Sequence, residues 1–373
     1  MATSKRDIVI VGGGGAGSQI ARALSQQLEA GSHSITVIES REFFTHYPGC
    51  LRMLVSDRDH LEETALIPLD KLFPSGNGKL VRAYISSISQ NDKGQGGKVT
   101  TDGGNVYNYD ILVLAPGNVW EGPLAFPSSR KAAVAFVEEW REKIKKSKGI
   151  AIVGGGAVGC ELAGEIRDIY PEKSLSVIQR ESQLLVSTYP DKFRADVQRR
   201  LAERDIRVIT NDEIQDIFEY PAERVATRKG TFVDADLVIP CRGGHPNTGF
   251  ISSLGENLLT SAGCVKVDQY LQVQGKPGVF AAGDIIEWAE VKQVVKTAGH
   301  ATTIVANIKS ILAGKPPAAV YKPMFEILAL TNGAGGGATY MGILWGLHFG
   351  NWFTRFLKAK DLFITKTRQG LGY

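Results

Sequence analysis

Apolar positions along the chain follow two alternating rhythms. Short β-branched runs without polar breaks read as strands buried on both faces, and stretches with apolar residues three and four apart read as helices. Asp7 to Val11 is the first strand. Ser18 to Glu29 is a helix with Ile20, Ala21, Leu24 and Leu28 on one face, and Ile35 to Ile38 is the next strand. Lys79 to Ile85 and Tyr109 to Leu114 read as further strands, with a hairpin turn within Asn91 to Gly104. A basic helix follows, roughly Ser129 to Lys148. The opening rhythm then restarts with a strand to Val153, a helix from Cys160 to Tyr170 and a strand from Ser174 to Ile178. Asp236 to His245 has the shape of Asp110 to Gly117: an acid, an apolar run and a glycine turn. Gly278 to Asp284 is a strand ending in Gly-Asp, Lys296 to Leu312 is a helix, and residues 313–323 carry three prolines and read as a linker.

Glycines turn this α/β rhythm into chemistry. The first strand runs into Gly12, Gly13, Gly14, Gly15, Ala16 and Gly17, which contain G-x-G-x-x-G at Gly12, Gly14 and Gly17. Such a turn serves a dinucleotide. Its first glycine allows the tight bend, its second lets a pyrophosphate approach the backbone, and its third lets helix and strand pack closely. The helix N-terminus faces the phosphates with free N–H groups. Glu39, ending the second strand, is placed for a ribose diol. The pattern returns at Gly154, Gly156 and Gly159, about 140 residues later, with Gln179 and Arg180 ending its second strand. A lone glycine motif is weak evidence; two in full strand–turn–helix–strand context form an internal repeat. The expectation is an α/β chain with two Rossmann-like dinucleotide-binding domains. The first is discontinuous (1–120 and 241–318), the second (121–240) is inserted into it, and residues 319–373 form a small α+β domain.

Composition narrows the class. A chain of 373 residues with 43% hydrophobic residues can bury two or three cores. The net charge of +4 with mixed signs gives no nucleic-acid footprint. Cys50, Cys160, Cys241 and Cys264 are far apart, with neither C-x-x-C nor metal-ligand spacing, which fits a reducing compartment. The first strand begins too early for a signal or transit peptide, residue 2 is alanine rather than the glycine of N-myristoylation, and no apolar run is long enough for a membrane span. A cytoplasmic location follows as the expectation. Two dinucleotide turns in one chain suggest hydride transfer between two cofactors.

The opening Val9 to Gly14, Tyr109 to Gly117, Gly154 to Ala163 and Val279 to Asp284 together resemble the two-dinucleotide-binding-domain flavoproteins, the pyridine nucleotide-disulfide oxidoreductase fold. Within that fold the chain is similar to the apoptosis-inducing-factor-like and ferroptosis suppressor oxidoreductases, and more distantly to type II NADH dehydrogenases. Leu357 to Phe363 resembles their closing Lys-x-x-Asp-Leu-Phe segment. The resemblance implies an FAD-dependent NAD(P)H:quinone oxidoreductase. It implies FAD contacts from Gly12 to Ala16, Arg52, Val81, the Ala115–Gly117 turn and Asp284, and makes Glu39 the FAD ribose ligand. It also implies Glu161 near the meeting point of nicotinamide and flavin, and Lys358 and Phe363 beside flavin and quinone.

The chain also departs from that family. Disulfide reductases carry C-x-x-x-x-C on the helix after the first ribose acid, whereas Cys50 stands alone, so electrons are expected to leave the flavin directly. Neutral Gln179 and cationic Arg180 would tolerate a 2′-phosphate, which favours NADPH with NADH also used; the alternative for Arg180 is an exposed loop charge. Glu161 could be a helix N-terminal dipole partner, Lys358 a solvated tail lysine, Arg52 a surface ion-pair member, and His46 is read as structural. Trp345, Phe349, Trp352 and Phe356, spaced four, three and four, read as one helical face. With Arg355, Lys358 and Lys360 nearby, this suggests a peripheral membrane contact, as on a mitochondrial outer surface or a lipid droplet; the alternative is a helix covering the flavin domain. Expected partners are NAD(P)H, a quinone and a lipid surface, with a homodimer as a further candidate and nucleic acid disfavoured. Competing readings are a redox-sensing death-pathway protein and a reductase of another electron carrier.

Overall fold

The computed structural model describes residues 5–29, 31–91, 94–214 and 224–373. Residue 2 and positions 92 and 93 of the expected hairpin lie outside them. Five parallel strands form the first sheet, in the order Val279–Ala281, Ile111–Leu114, Arg6–Val11, His33–Glu39 and Gly78–Arg82. Ile8, Ile10, Val37 and Ile111 to Leu114 are fully buried, as strands covered on both faces should be. Helices Gly15–Gln27 and Thr297–Leu312 pack together against this sheet.

A second parallel sheet runs Ile206–Thr210, Ser174–Gln179, Gly149–Val153 and Leu237–Pro240. Each sheet is tied at its start by an acid from another strand's approach. Asp110 Oδ2 accepts the Asp7 N–H at 2.8 Å, and Asp236 accepts the N–H groups of Lys148 and Gly149 at 3.0 Å. The repeat seen in the apolar rhythm therefore extends to its polar fastenings.

Sequence and structure differ in detail. The expected strand Lys79 to Ile85 is two strands, Gly78–Arg82 and Ile85–Gln90; the latter starts an antiparallel meander with Gly97–Thr101 and Val106–Tyr109. The basic helix is Arg130–Lys146, capped by the Ser129 hydroxyl accepting from Ala132 N.

Helix Tyr47–Val55 lies between the two nucleotide turns in sequence but joins the second core, through Cys50, Met53 and Leu54 beside Ile144, Ile150 and Ile166. The C-terminal sheet Ile327–Thr331, Gly337–Met341 and Leu347–Phe349 is antiparallel and joins the same core through Leu328, Leu330 and Tyr340. These two elements bring three parts of the chain to one place. Among the described residues no helix is long and apolar enough to cross a membrane.

Candidate functional site

Both glycine turns have the same geometry. Gly12 sits at φ +96° and Gly154 at φ +118°, backbone that side chains rarely adopt, and a Cβ at either would run into the carbonyl of Ala115 or Cys241. A Cβ on Gly17 or Gly159 would strike the carbonyl oxygen of Gly12 or Gly154, so each helix rests directly on its own turn. The middle glycines differ: a Cβ on Gly14 or Gly156 would meet nothing within 4 Å. That space lies at the N-cap of helices Gly15–Gln27 and Ala157–Ile169, where backbone N–H groups are without intrahelical partners.

The acid and amide that end the second strands are also equivalent. Glu39 Oε2 accepts the Gly13 N–H at 2.6 Å, and Gln179 Oε1 accepts the Gly155 N–H at 2.8 Å. Val81 pairs with Ile38 next to Glu39 at the edge of the first sheet. Ala115 is buried against the first turn, and Gly117 follows it. Asp284 accepts from Asn118 Nδ2 at 2.8 Å, and burial raises its carboxyl above the ordinary range. Behind it, the Gly283 N–H donates to His300 Nδ1 at 3.0 Å. His300 therefore carries its proton on Nε2 and donates to Glu290 at 3.0 Å, and Glu290 also accepts from the Tyr321 hydroxyl at 2.8 Å. Burial pushes Glu290 up, but those two hydrogen bonds together with the nearby His300 and Lys292 leave it below its usual value.

A second constellation is buried where the helices and the C-terminal sheet meet. Glu161 Oε1 accepts from Lys358 Nζ at 2.6 Å, Thr331 N at 2.7 Å and the Thr331 hydroxyl at 3.0 Å. Lys358 Nζ also donates to the Ala329 carbonyl at 3.0 Å, and both side chains of the pair are 10% exposed. One turn further along the same helix, Glu165 takes a two-pronged ion pair from Arg52, at 2.9 and 3.0 Å. Phe363 is the N-cap of the last helix, Ile364–Leu371, with φ +62°, directly after Leu362 at φ +54°.

The comparisons with known proteins agree with this geometry. The pyridine nucleotide-disulphide oxidoreductase family matches residues 6–303. The chain belongs to that family. Its relatives include FAD-dependent oxidoreductase FVFD30 of Flammulina velutipes, 42% identical over 86% of this chain and 99% of that one. Ferroptosis suppressor protein 1 of Homo sapiens is 29% identical over 96% of this chain and 94% of its own length, which bears out the expected resemblance. Among solved structures, the sulfide:quinone oxidoreductase of Aquifex aeolicus shares the fold, with a TM-score of 0.76 and 18% identity, covering 98% of this chain and 92% of that one. As a member of the pyridine nucleotide-disulphide oxidoreductases the chain is an oxidoreductase with FAD and NAD(P)H as its cofactor pair.

The residues fit those cofactors. The open faces of Gly14 and Gly156 leave room for two pyrophosphates. On the segment after Glu39, Thr45 Oγ1 and the Tyr47 hydroxyl are buried without hydrogen-bond partners. Such groups cost about 1–3 kcal/mol each when left unmet, so their retention fits a bound polar group.

Several expectations need correction. Arg52, expected among the FAD contacts, is engaged by protein groups: besides Glu165 it donates to the Ala359 carbonyl at 3.0 Å. The ion-pair alternative holds, but buried rather than on the surface. Lys358 is not a solvated tail lysine, and the Glu161 carboxylate has Lys358 and Thr331 as partners rather than its own helix end. Arg180 is exposed, with only Glu181 at 3.3 Å. The aromatic quartet does not share one helical face. His348 packs on Phe193 and Tyr340, drawing residues 347–349 into the sheet, so Trp345 lies in the preceding turn and Phe349 in a strand. Trp352 and Phe356 do lie on successive turns, stacked at 6.3 Å, and are 80% and 79% exposed. His46 is structural, donating from Nε2 to the Leu362 carbonyl at 2.7 Å.

Glu165, Asn118, Glu290, His300 and Tyr321 escaped the sequence reading. Glu165 had a signal. Two carboxylates four apart, Glu161 and Glu165, on a helix otherwise lined by Cys160, Leu162, Ala163 and Ile166 require cations from elsewhere. The others carry no local signal, because their partners come from distant turns.

Proposed function

We propose that this oxidoreductase passes two electrons from NAD(P)H through FAD to a lipid-soluble quinone. The supporting observation is the π-helical turn Arg355–Ala359, which points Phe356 outward at 79% exposure and Lys358 inward onto Glu161. One turn thus joins an apolar surface to a buried cation, and π turns are frequent at functional sites. Trp352 stacks on Phe356, Leu344 and Trp345 are likewise exposed, and Arg355 and Lys360 on the same segment are exposed cations, which suits an anionic lipid surface that stores quinone.

When bound, FAD would accept a hydride and deliver its electron pair to the acceptor, so that NAD(P)H, one proton and a quinone become NAD(P)+ and a quinol. The first turn with Glu39, Val81, Ala115, Gly117 and Asp284 would hold FAD, and the second with Gln179 and Arg180 would hold the nicotinamide nucleotide. Lys358, held by Glu161 and the Ala329 carbonyl in a largely water-free place, would stabilise negative charge that develops during electron transfer. Phe363, five residues on, would supply an apolar wall for the acceptor. A thiol acceptor relay finds no support: Cys50 is buried and unpaired on helix Tyr47–Val55, and burial drives its thiol pKa upward. Neutral Gln179 and exposed Arg180 favour NADPH while admitting NADH.

The test is to purify the holoprotein, identify its yellow chromophore, and follow NADPH and NADH oxidation with ubiquinone analogues, ferricyanide and oxygen, with and without anionic vesicles. Quinone turnover that rises with vesicles is the expected result. A fully flavinated enzyme that reduces ferricyanide but no quinone would overturn the proposal.

A further inference from the structure

Residues 358–363 are held at three points by side chains from helix Ala157–Ile169 and from helix Tyr47–Val55 and its N-cap. Glu161 takes Lys358 at 2.6 Å, Arg52 takes the Ala359 carbonyl at 3.0 Å, and His46 takes the Leu362 carbonyl at 2.7 Å. At the last of these anchors the chain enters the left-handed region, at Leu362, and stays there at Phe363. Two consecutive non-glycine residues in that region are unfavourable and persist only where surrounding contacts over-determine them. The Leu362 N–H closes on the Lys358 carbonyl at 2.7 Å, and Asp361 Oδ1 accepts the Phe363 N–H at 3.0 Å. The anchors also differ in independence. Lys358 has its own supports in Glu161 and the Ala329 carbonyl. Ala359 has Arg52, which Glu165 aligns with a two-pronged pair.

We propose that Arg52, aligned by Glu165, is a positioning residue for the acceptor side of the site: by gripping the Ala359 carbonyl it keeps residues 359–363, and with them Phe363, in their strained conformation. This rests on the quinone reading above for the meaning of the acceptor side. Loss of the grip leaves Lys358 on Glu161, so hydride uptake from NAD(P)H continues. What loosens is the wall against which the acceptor docks.

The experiment uses holoenzyme of Arg52→Gln and Arg52→Lys; the lysine keeps the charge but not the fork that reaches both partners. Amide hydrogen exchange is followed over residues 358–363 and, as an internal control, over 327–331. Anaerobic flavin bleaching by NADPH and the KM for a short-chain ubiquinone analogue are measured in parallel. Both variants are expected to exchange faster at 359–363 alone, to bleach within about twofold of the wild-type rate, and to raise the quinone KM about tenfold, the equivalent of one charge-assisted hydrogen bond. Unchanged exchange and KM in either folded variant would overturn the proposal. So would an equal fall in both half-reactions, which marks a merely structural residue. Should the wild-type enzyme reduce no quinone, the acceptor reading fails, while the exchange measurement still decides whether Arg52 holds Ala359.

Discussion

Gly156→Ala separates binding from folding at the second turn. The substitution adds one methyl group at an N-cap with φ −73° and ψ −175°, extended backbone open to any residue, and no atom lies within 4 Å of the new carbon. Alanine restricts the unfolded chain, a gain of about 0.4–1 kcal/mol, and is a poorer N-cap than glycine by about a few tenths or more. The two nearly cancel, so the stability of the apoprotein should move by less than about 0.5 kcal/mol. Gly159→Ala is the contrast, since its methyl meets the Gly154 carbonyl oxygen and the helix must back away from the turn. That overpacking should cost about 1–3 kcal/mol. For a pyrophosphate at the open face of Gly156, the same harmless methyl displaces it from the helix N–H groups. One lost charged hydrogen bond, about 1.5–3 kcal/mol, predicts a KM for NAD(P)H about 10- to 100-fold higher. Urea unfolding of the apoproteins and steady-state nucleotide titration are the assays. The mirror variant Gly14→Ala should instead purify with little FAD and unaltered stability. If Gly156→Ala binds NAD(P)H like wild type, or unfolds as easily as Gly159→Ala, the reasoning is refuted.

Other predictions follow from the buried charges and the second turn. Lys358→Met should lower stability by about 3 kcal/mol, near the low end for breaking a buried pair because Thr331 still donates to Glu161, and pairing it with Glu161→Gln should recover part of the loss in urea melts. Burial raises Glu165 above the ordinary carboxylate range in spite of Arg52. Stability from its protonated form is therefore complete below the ordinary carboxylate pKa and lost as pH rises through the higher folded value. Glu165→Gln should flatten that part of the pH–stability curve, and an unchanged slope would refute the assignment. Arg180→Ala should raise the KM for NADPH about tenfold and leave NADH within about twofold; equal changes would show that the exposed guanidinium does not read the 2′-phosphate.

The glycine turns were legible because their demands are local. Left-handed backbone at Gly12 and Gly154, and carbonyl contact at Gly17 and Gly159, leave marks at fixed spacing in any chain that meets them. The acids fastening each sheet were visible only as an echo, since their role depends on strands that meet in space. The ion-pair partner of Arg52 was not legible because it lies 113 residues away and no spacing rule connects the two. The aromatic tail failed for another reason. Spacings of four, three and four satisfy a helix, but antiparallel pairing of residues 347–349 with residues 339–341 outweighs that local preference and makes a strand.

The first sheet has a consequence for synthesis. Four of its strands are made by residue 114, but its edge partner for Ile111–Leu114 is Val279–Ala281, and the whole second sheet is translated in between. On the ribosome the later sheet can therefore close before the earlier one. Until the Val279–Ala281 strand emerges, four wholly apolar residues present an open pairing edge. A chain halted or cut between residues 240 and 279 is expected to aggregate rather than survive as a folded fragment. Purification of such a fragment in soluble, flavin-binding form would contradict this order of assembly.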